Sequence, residues 1–139
     1  MILNYMTSTK EKNLILNQGF ILEDGAIFAT TQVKSIISSS LVEFELDENC
    51  FYHLYAGELI DTLRQMEKGA GPCMSIFGVP FVCDRSGLLM FGEEVINRGY
   101  MGVCCPTMVG GNQLHYNVII FDIEELNNQL MVNVSNQEQ

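Results

Sequence analysis

Apolar and polar positions alternate most clearly in the second half of the chain, where short hydrophobic runs are separated by polar or glycine-containing turns. Runs of this length and composition are typical of β-strands. The pattern predicts four strands, at 74–83, 88–91, 100–105 and 116–123. The segments between them predict a four-residue turn at 84–87, a polar connection at 92–99 and a Gly/Asn turn at 110–113. Because such short strands are not stable alone, we expect an antiparallel meander with a helix packed on its face.

The first half of the chain predicts three further elements. Segments 20–23 and 26–31 flank Asp24-Gly25, a strong two-residue turn signal, and predict a β-hairpin. Segment 41–46 alternates apolar and acidic residues, which predicts an edge strand whose outward glutamates discourage mispairing. Segment 7–14 predicts a short helix capped by Thr7 or Ser8, with Glu11 completing a capping box.

Two more helices complete the predicted fold. Segment 55–68 places Leu59, Leu63 and Met66 at helical spacing, and Gly69 follows as a stop signal. Segment 124–132 predicts a short last helix, and the polar tail from about 133 is expected to fray. At 139 residues the chain is expected to form one domain, 1–139. The predicted fold class is α/β of the α+β type, a central antiparallel meander flanked by helices.

The charge balance narrows the range of partners. The chain has 17 acidic and seven basic residues, a net charge of −10, and its basic residues are scattered. Nucleic acid and anionic membranes are therefore poor partners, because binding phosphate requires clustered positive charge. No segment approaches the roughly 20 apolar residues of a membrane span, and the N-terminal residues do not resemble a signal peptide.

Five cysteines without a C-x-x-C spacing indicate buried thiols in a reducing, cytoplasmic setting. Cys104 and Cys105 with His115 are candidates for a metal or thiol site, but adjacent strand residues point to opposite faces. No acidic pair, catalytic triad or nucleotide-binding motif stands out. The sequence therefore predicts a protein that is not an enzyme, with no metal and no cofactor. A thiol enzyme or redox sensor would require one cysteine with a depressed pKa.

Four stretches of the chain resemble the profilin family. Segment 19–31 resembles the profilin hairpin with its Asp-Gly turn, and Gly57-Glu58-Leu59-Ile60 resembles the start of the central helix. Segment 76–81 is similar to the glycine-containing strand of the family. Segments 102–107 and 118–125 resemble its Gly-Val…Thr strand and its last apolar strand, which runs into acidic residues.

The resemblance implies a cytoplasmic, cytoskeletal protein that binds monomeric actin stoichiometrically, regulates filament assembly and is itself mainly monomeric. By position, it places five residues near the actin-binding surface: Lys68, Pro80, Arg85, Arg98 and Thr107. Arg85 and Arg98 are the strongest candidates, since fixed cations in an acidic chain are natural anchors for carboxylates. Pro80 and Glu93-Glu94 stand where family members often carry basic residues, which points to a diverged actin partner.

Profilins also bind proline-rich peptides on an aromatic platform that includes tryptophan. Here Phe28 matches one platform position and Tyr5 is a candidate for another, but the chain has no tryptophan. Because proline-rich recognition requires an aromatic groove, polyproline binding is predicted to be weak or absent. Phosphoinositide binding has little basic surface to support it.

A second function class also fits a small antiparallel sheet with helices. Roadblock- or longin-like scaffold modules of trafficking or GTPase-regulating complexes share this composition of elements. The oligomeric state distinguishes the two classes, because a profilin-like chain is expected to be a monomer and a roadblock-like chain an obligate dimer.

Overall fold

The fold is built on a six-stranded mixed sheet with helices on both faces. The computed structural model describes residues 1–21, 25–32, 40–54, 74–76, 79–81, 85–109 and 113–137. Its strands are β1 (Ile2–Thr7), β2 (Ile27–Thr30), β3 (Ser40–Glu45), β4 (Phe51–His53), β5 (Met74–Ile76), β6 (Val79–Phe81), β7 (Gly102–Val109) and β8 (Gln113–Ile120). Its α-helices are α1 (Thr9–Gln18), α2 (Arg85–Asn97) and α3 (Ile123–Gln137). The predicted α+β class is confirmed.

Strand order in the main sheet is β3-β1-β2-β8-β7-β4, and β5 and β6 form a separate two-stranded sheet. The pairings in the main sheet are antiparallel except that of β4 with β7, which is parallel. The sheet is therefore mixed, and its strand order is not that of the simple meander expected from the sequence. The predicted strands at 100–105 and 116–123 correspond to β7 and β8, which pair along their whole length.

The two faces of the sheet carry two separate hydrophobic cores. Helices α1 and α3 cover one face, where Ile15 and Leu126 pack with Leu3, Ile27 and other buried strand residues. Helix α2 covers part of the opposite face, where Phe91 and Val95 pack with Val103 and Cys105. Within the described residues, no helix is long and apolar enough to cross a membrane.

Asn127 of α3 joins two distant parts of the first core. Its Oδ1 accepts a hydrogen bond from the Phe20 backbone N–H at 2.8 Å, and its Nδ2 donates to the Phe20 carbonyl at 3.0 Å. The side-chain amide thus satisfies both backbone groups of a residue that lies outside any strand. This two-bond contact fixes the segment after α1 against the last helix.

The predicted strand at 88–91 and the connection at 92–99 are wrong, because residues 88–97 belong to α2 and only 98 and 99 lie beyond its end. Residues 85–87 of the predicted turn are also helical. Burial of Phe91, Gly92 and Val95 follows the helical period, and Gly99, with φ of +92°, ends the helix. The Gly99 N–H donates to the Ile96 carbonyl and the Tyr100 N–H to the Val95 carbonyl, the bond pattern of a Schellman motif.

The predicted hairpin at 20–31 is also wrong in its pairing. β2 lies between β1 and β8, and Phe20 and Ile21 are not in a strand, while residues 22–24 lie outside the described residues. The predicted strand at 74–83 is instead the short antiparallel pair β5 and β6, in which Pro80 lies opposite Ser75. In a two-stranded sheet each strand has an edge, where a proline is tolerated.

Several other predictions are confirmed. β3 is an edge strand with exposed Glu43 and Glu45, and α1 is capped by Ser8, whose Oγ accepts the Glu11 N–H at 3.1 Å. The strand β1 before this helix was not predicted. The last helix exists but extends to Gln137, through part of the tail that was expected to fray. The predicted helix at 55–68 and residues 110–112 of the predicted turn at 110–113 lie outside the described residues, and Gln113 begins β8.

Two glycines of the α2 region give a test of this packing. A Cβ on Gly92 would lie 2.4 Å from Cδ1 of the buried Phe121 ring, whereas a Cβ on Gly99 would meet nothing within 4 Å. We expect Gly92→Ala to lower the free energy of unfolding by roughly 1–3 kcal/mol through overpacking. Gly99→Ala should cost about 1–2 kcal/mol through its positive φ. Urea unfolding measures both.

The two causes are separated by adding Phe121→Ala, which removes the ring and its Cγ. The second substitution should recover much of the loss caused by Gly92→Ala and none of the loss caused by Gly99→Ala. If the substitution at Phe121 changes the free energy of unfolding of both glycine variants by the same amount, the close approach of α2 to Phe121 is contradicted.

Candidate functional site

The exposed side of α2 is a candidate interaction surface of the described chain. We define the α2 outer face by its exposed positions: Arg85, Ser86, Leu89, Met90, Glu93, Ile96 and Asn97. At 100° per residue these positions fall within an arc of about 140°, opposite the buried side of the helix. Three large apolar side chains lie there, with 37% of Leu89, 61% of Met90 and 38% of Ile96 exposed.

Arginines stand at both ends of this surface. Arg85 is the first residue of α2, and Arg98 directly follows the last. Thirteen residues of helical rise separate them by about 20 Å. Arg98 Nε lies 3.8 Å from Glu94 Oε2 in an exposed i,i+4 pair, which is worth little energetically. A partner carboxylate can therefore compete for this guanidinium at small cost.

The remaining predicted actin-binding residues lie in neighbouring elements or outside the described chain. Pro80 is in β6 and Thr107 in β7, and both of these strands contact α2. Lys68 lies outside the described residues. The structure thus places four of the five residues in α2, directly after it or in strands beside it. The helix itself, with Glu93 and Glu94 on it, was predicted as strand and loop.

The two residues proposed for polyproline binding lie on opposite faces of the sheet. Tyr5 packs against the first core, with its ring edge-to-face on Phe20 at 5.3 Å between centroids. Phe28 alternates with the buried Ile27 and Ala29, so its side chain is on the other face and 60% exposed. These two rings do not form one aromatic platform.

A cysteine–histidine pair forms where β4 lies parallel to β7. His53 is the register partner of Cys104, and its Nδ1 lies 3.2 Å from the Cys104 sulfur. The other ring nitrogen, Nε2, lies 3.2 Å from the Glu48 carbonyl oxygen. A tautomer with the proton on Nε2 satisfies both contacts, because Nε2 then donates to Glu48 and Nδ1 accepts the thiol proton.

The environment of this pair holds the sulfur as a neutral thiol. Cys104 is fully buried, and desolvation, Cys105 and Glu48 together raise the pKa of its thiol to about 11. A nucleophilic or redox-sensing cysteine requires the opposite shift, toward the thiolate. The thiol-enzyme hypothesis therefore receives no support at Cys104, which acts as a buried hydrogen-bonding residue of the core.

The other residues weighed as a metal or thiol site are separated by the sheet. Cys104 belongs to the core under α1 and α3, and Cys105 to the core under α2. The prediction that adjacent cysteines point to opposite faces is confirmed. His115 lies on β8 opposite Thr107. Within the described residues, no group of three His, Cys, Asp or Glu side chains is placed to hold a metal ion.

The Cys104 pKa gives a pH-dependent test. Below the ordinary thiol pKa of 9.0 both folded and unfolded chains keep this proton, so the contribution of the neutral Cys104 thiol to stability is fully present. As the pH rises from about 9 to about 11, the unfolded chain loses the proton before the folded chain does. Unfolding therefore releases a proton in this range, so the free energy of unfolding should fall as the pH rises, with a slope approaching about 1.4 kcal/mol per pH unit.

Urea unfolding between pH 8 and 10.5 measures this slope, and Cys104→Ala supplies the comparison. Cys50→Ala, at a partly exposed cysteine, is the matched control and should behave like wild type. Identical alkaline slopes for wild type and Cys104→Ala would contradict the buried neutral thiol.

Compared with protein-family models, curated proteins and solved structures, the chain matches none of them.

Proposed function

We propose that this chain is a non-catalytic protein that binds monomeric actin stoichiometrically through the α2 outer face and so regulates filament assembly. The observation that supports the proposal is one helix face on which three exposed apolar side chains lie between two arginines. The identity of the partner comes from the resemblance of the sequence to profilins. Such a protein would act in the cytoplasm with the actin cytoskeleton.

The apolar part of the surface would supply most of the binding energy. Exposed apolar side chains gathered on one surface are unusual on a monomer and typical of an interaction site. Met90 is flexible and adapts to irregular partner surfaces, while Leu89 and Ile96 are one heptad apart on the other side of the face. This arrangement fits the helix-in-groove mode, in which side chains at i and i+7 anchor the helix.

The charged part of the surface would supply orientation. Arg85, Glu93, Glu94 and Arg98 balance one another, so the α2 region is locally neutral within a chain of net charge −10. An acidic partner is repelled less here than by the chain as a whole. A guanidinium at each end can pair with a carboxylate through two parallel hydrogen bonds, which fixes the register of the complex.

A second candidate function draws on the same observation. An apolar helix face can pair with its own copy around a two-fold axis, as a roadblock- or longin-like scaffold module would require. In that case Met90 of one protomer would meet the same helix in the partner, and the free chain would be a dimer.

The first test is titration of monomeric actin with the full chain by calorimetry. We expect a one-to-one complex that Arg85→Glu and Arg98→Glu each weaken by about tenfold or more, because each substitution places a negative charge opposite a partner carboxylate. Lys10→Glu makes the same charge change at an exposed position of α1 and should leave the affinity within about twofold. Equal loss in all three variants would indicate a net-charge effect and contradict the proposed site.

The second test measures oligomeric state by analytical ultracentrifugation. An actin-binding monomer should remain a monomer, and Met90→Glu should weaken actin binding without changing the mass. Leu16→Glu, at a similarly exposed apolar position of α1, is the matched control. No binding to several divergent actins, with a stable homodimer that only Met90→Glu dissociates, would replace the first function with the scaffold module.

A further inference from the structure

The sheet face that carries α2 also contains a cavity. The cavity has a volume of about 500 Å³, within the usual range for small-molecule sites. Its walls come from β1, β2, β7 and β8 and from Leu54 after β4. Most of the lining is apolar, including Phe28, Leu54, Val103 and Ile119.

One buried polar side chain in this wall has an unused acceptor. Asn4 is only 2% exposed, yet its Oδ1 has no hydrogen-bond partner among the described residues. Its Nδ2 makes a long contact of 3.5 Å with the Thr30 carbonyl. Since the preceding Leu3 is fully buried in the core on the other face, strand alternation places Asn4 on the cavity face.

Such an acceptor is unfavourable unless something donates to it. A buried polar atom without a partner loses its hydration and gains nothing in return. No described neighbour in the wall donates to Asn4 Oδ1, and Thr30 Oγ1 accepts the Gln32 N–H at 3.1 Å. The Cys105 thiol donates to the Pro106 carbonyl at 3.5 Å. Asn4 Oδ1 therefore remains as an acceptor for a ligand.

The charge of the wall restricts the ligand further. None of the residues that line the cavity carries a formal charge, so an ion would lose its hydration without a counterion. The net charge of −10 disfavours anions in particular, including fatty-acid carboxylates and phosphates. An uncharged ligand with a mostly hydrocarbon or aromatic body remains.

We propose that this cavity binds a neutral, largely apolar small molecule with one O–H or N–H group that donates to Asn4 Oδ1. The apolar body fills the space between Phe28, Leu54 and Ile119, and the single donor sets its orientation. This site is separate from the α2 outer face and does not depend on the function proposed for that face.

Two probes of nearly the same shape test the hydrogen bond directly. 2-Naphthol carries an O–H donor, and 2-methoxynaphthalene replaces that hydrogen with a methyl group. Heteronuclear NMR titration of the full chain should show both probes shifting the same cavity residues at one site. The naphthol should bind about five- to tenfold more tightly, the ratio expected for one hydrogen bond to a buried acceptor.

Substitutions in the wall separate the acceptor from the cavity itself. Asn4→Leu keeps a similar shape and removes the acceptor, so the preference for naphthol should disappear while methoxynaphthalene affinity changes less than twofold. Ile119→Trp fills the space and should weaken both probes tenfold or more. Asn13→Leu makes the same change at an exposed position of α1 and should alter neither. Thermal unfolding of each variant shows whether it is folded.

Several results would overturn the proposal. The proposal is wrong if the wild-type chain binds neither probe, binds both equally, or shows chemical-shift changes outside the cavity. A naphthol preference that survives in folded Asn4→Leu would also remove Asn4 as the acceptor. If Asn4→Leu does not fold, the affinities of the two probes for the wild type and for Ile119→Trp still show whether the proposal is right. Loss of actin binding would not affect any of these outcomes.

Discussion

The rest of the structure depends on the antiparallel pairing of β7 with β8. Eight residue pairs, from Gly102↔Ile120 to Val109↔Gln113, hold these two strands together in the interior of the sheet. Cys104, Val118 and Ile120 supply one core, and Val103 and Cys105 supply the other. β2 attaches to β8 and β4 to β7. Because both cores share these strands, a change that separates them would expose both sides of the molecule at once.

The two faces of this sheet are covered differently, and the difference locates the candidate functions. One face lies under α1 and α3 and includes the contact of the buried Cys104 with His53. Among the described helices, α2 covers part of the other face, which also carries the cavity at Asn4 and the exposed Phe28. A partner protein on the α2 outer face and a small molecule in the cavity would thus bind to the same side of the sheet. Neither role requires a reactive group, which agrees with the raised pKa of Cys104.

Local sequence patterns predict those helices and strands that are determined by their own residues and not by distant contacts. Alternating acidic and apolar residues identify β3, and Ser8 with Glu11 marks the start of α1. The run 88–91 has consecutive apolar residues, so it suggests a strand until Val95 and Gly99 are included in a longer helical pattern. The parallel pairing of His53 with Cys104 joins residues 51 positions apart, and no short motif encodes it. Arg85 and Arg98 are conspicuous in the sequence because basic residues are rare in this chain. Their positions at the two ends of α2 could not be predicted, because α2 itself was not. No sequence pattern marks Asn4 as a binding residue, since its burial results from the strands around it.

The contact between Asn127 and Phe20 has a consequence for how the chain is made. The two residues are 107 positions apart, and one amide group satisfies both backbone atoms of Phe20. During synthesis the first core is therefore incomplete until α3 has been translated. Before Asn127 leaves the ribosome, the backbone N–H and carbonyl of Phe20 lack this side-chain partner. Ile15 and Leu3 also lack Leu126 as a neighbour. β2 likewise needs β8 on its second edge. The N-terminal part of the first core can therefore complete its native contacts only after α3 and β8 have been made.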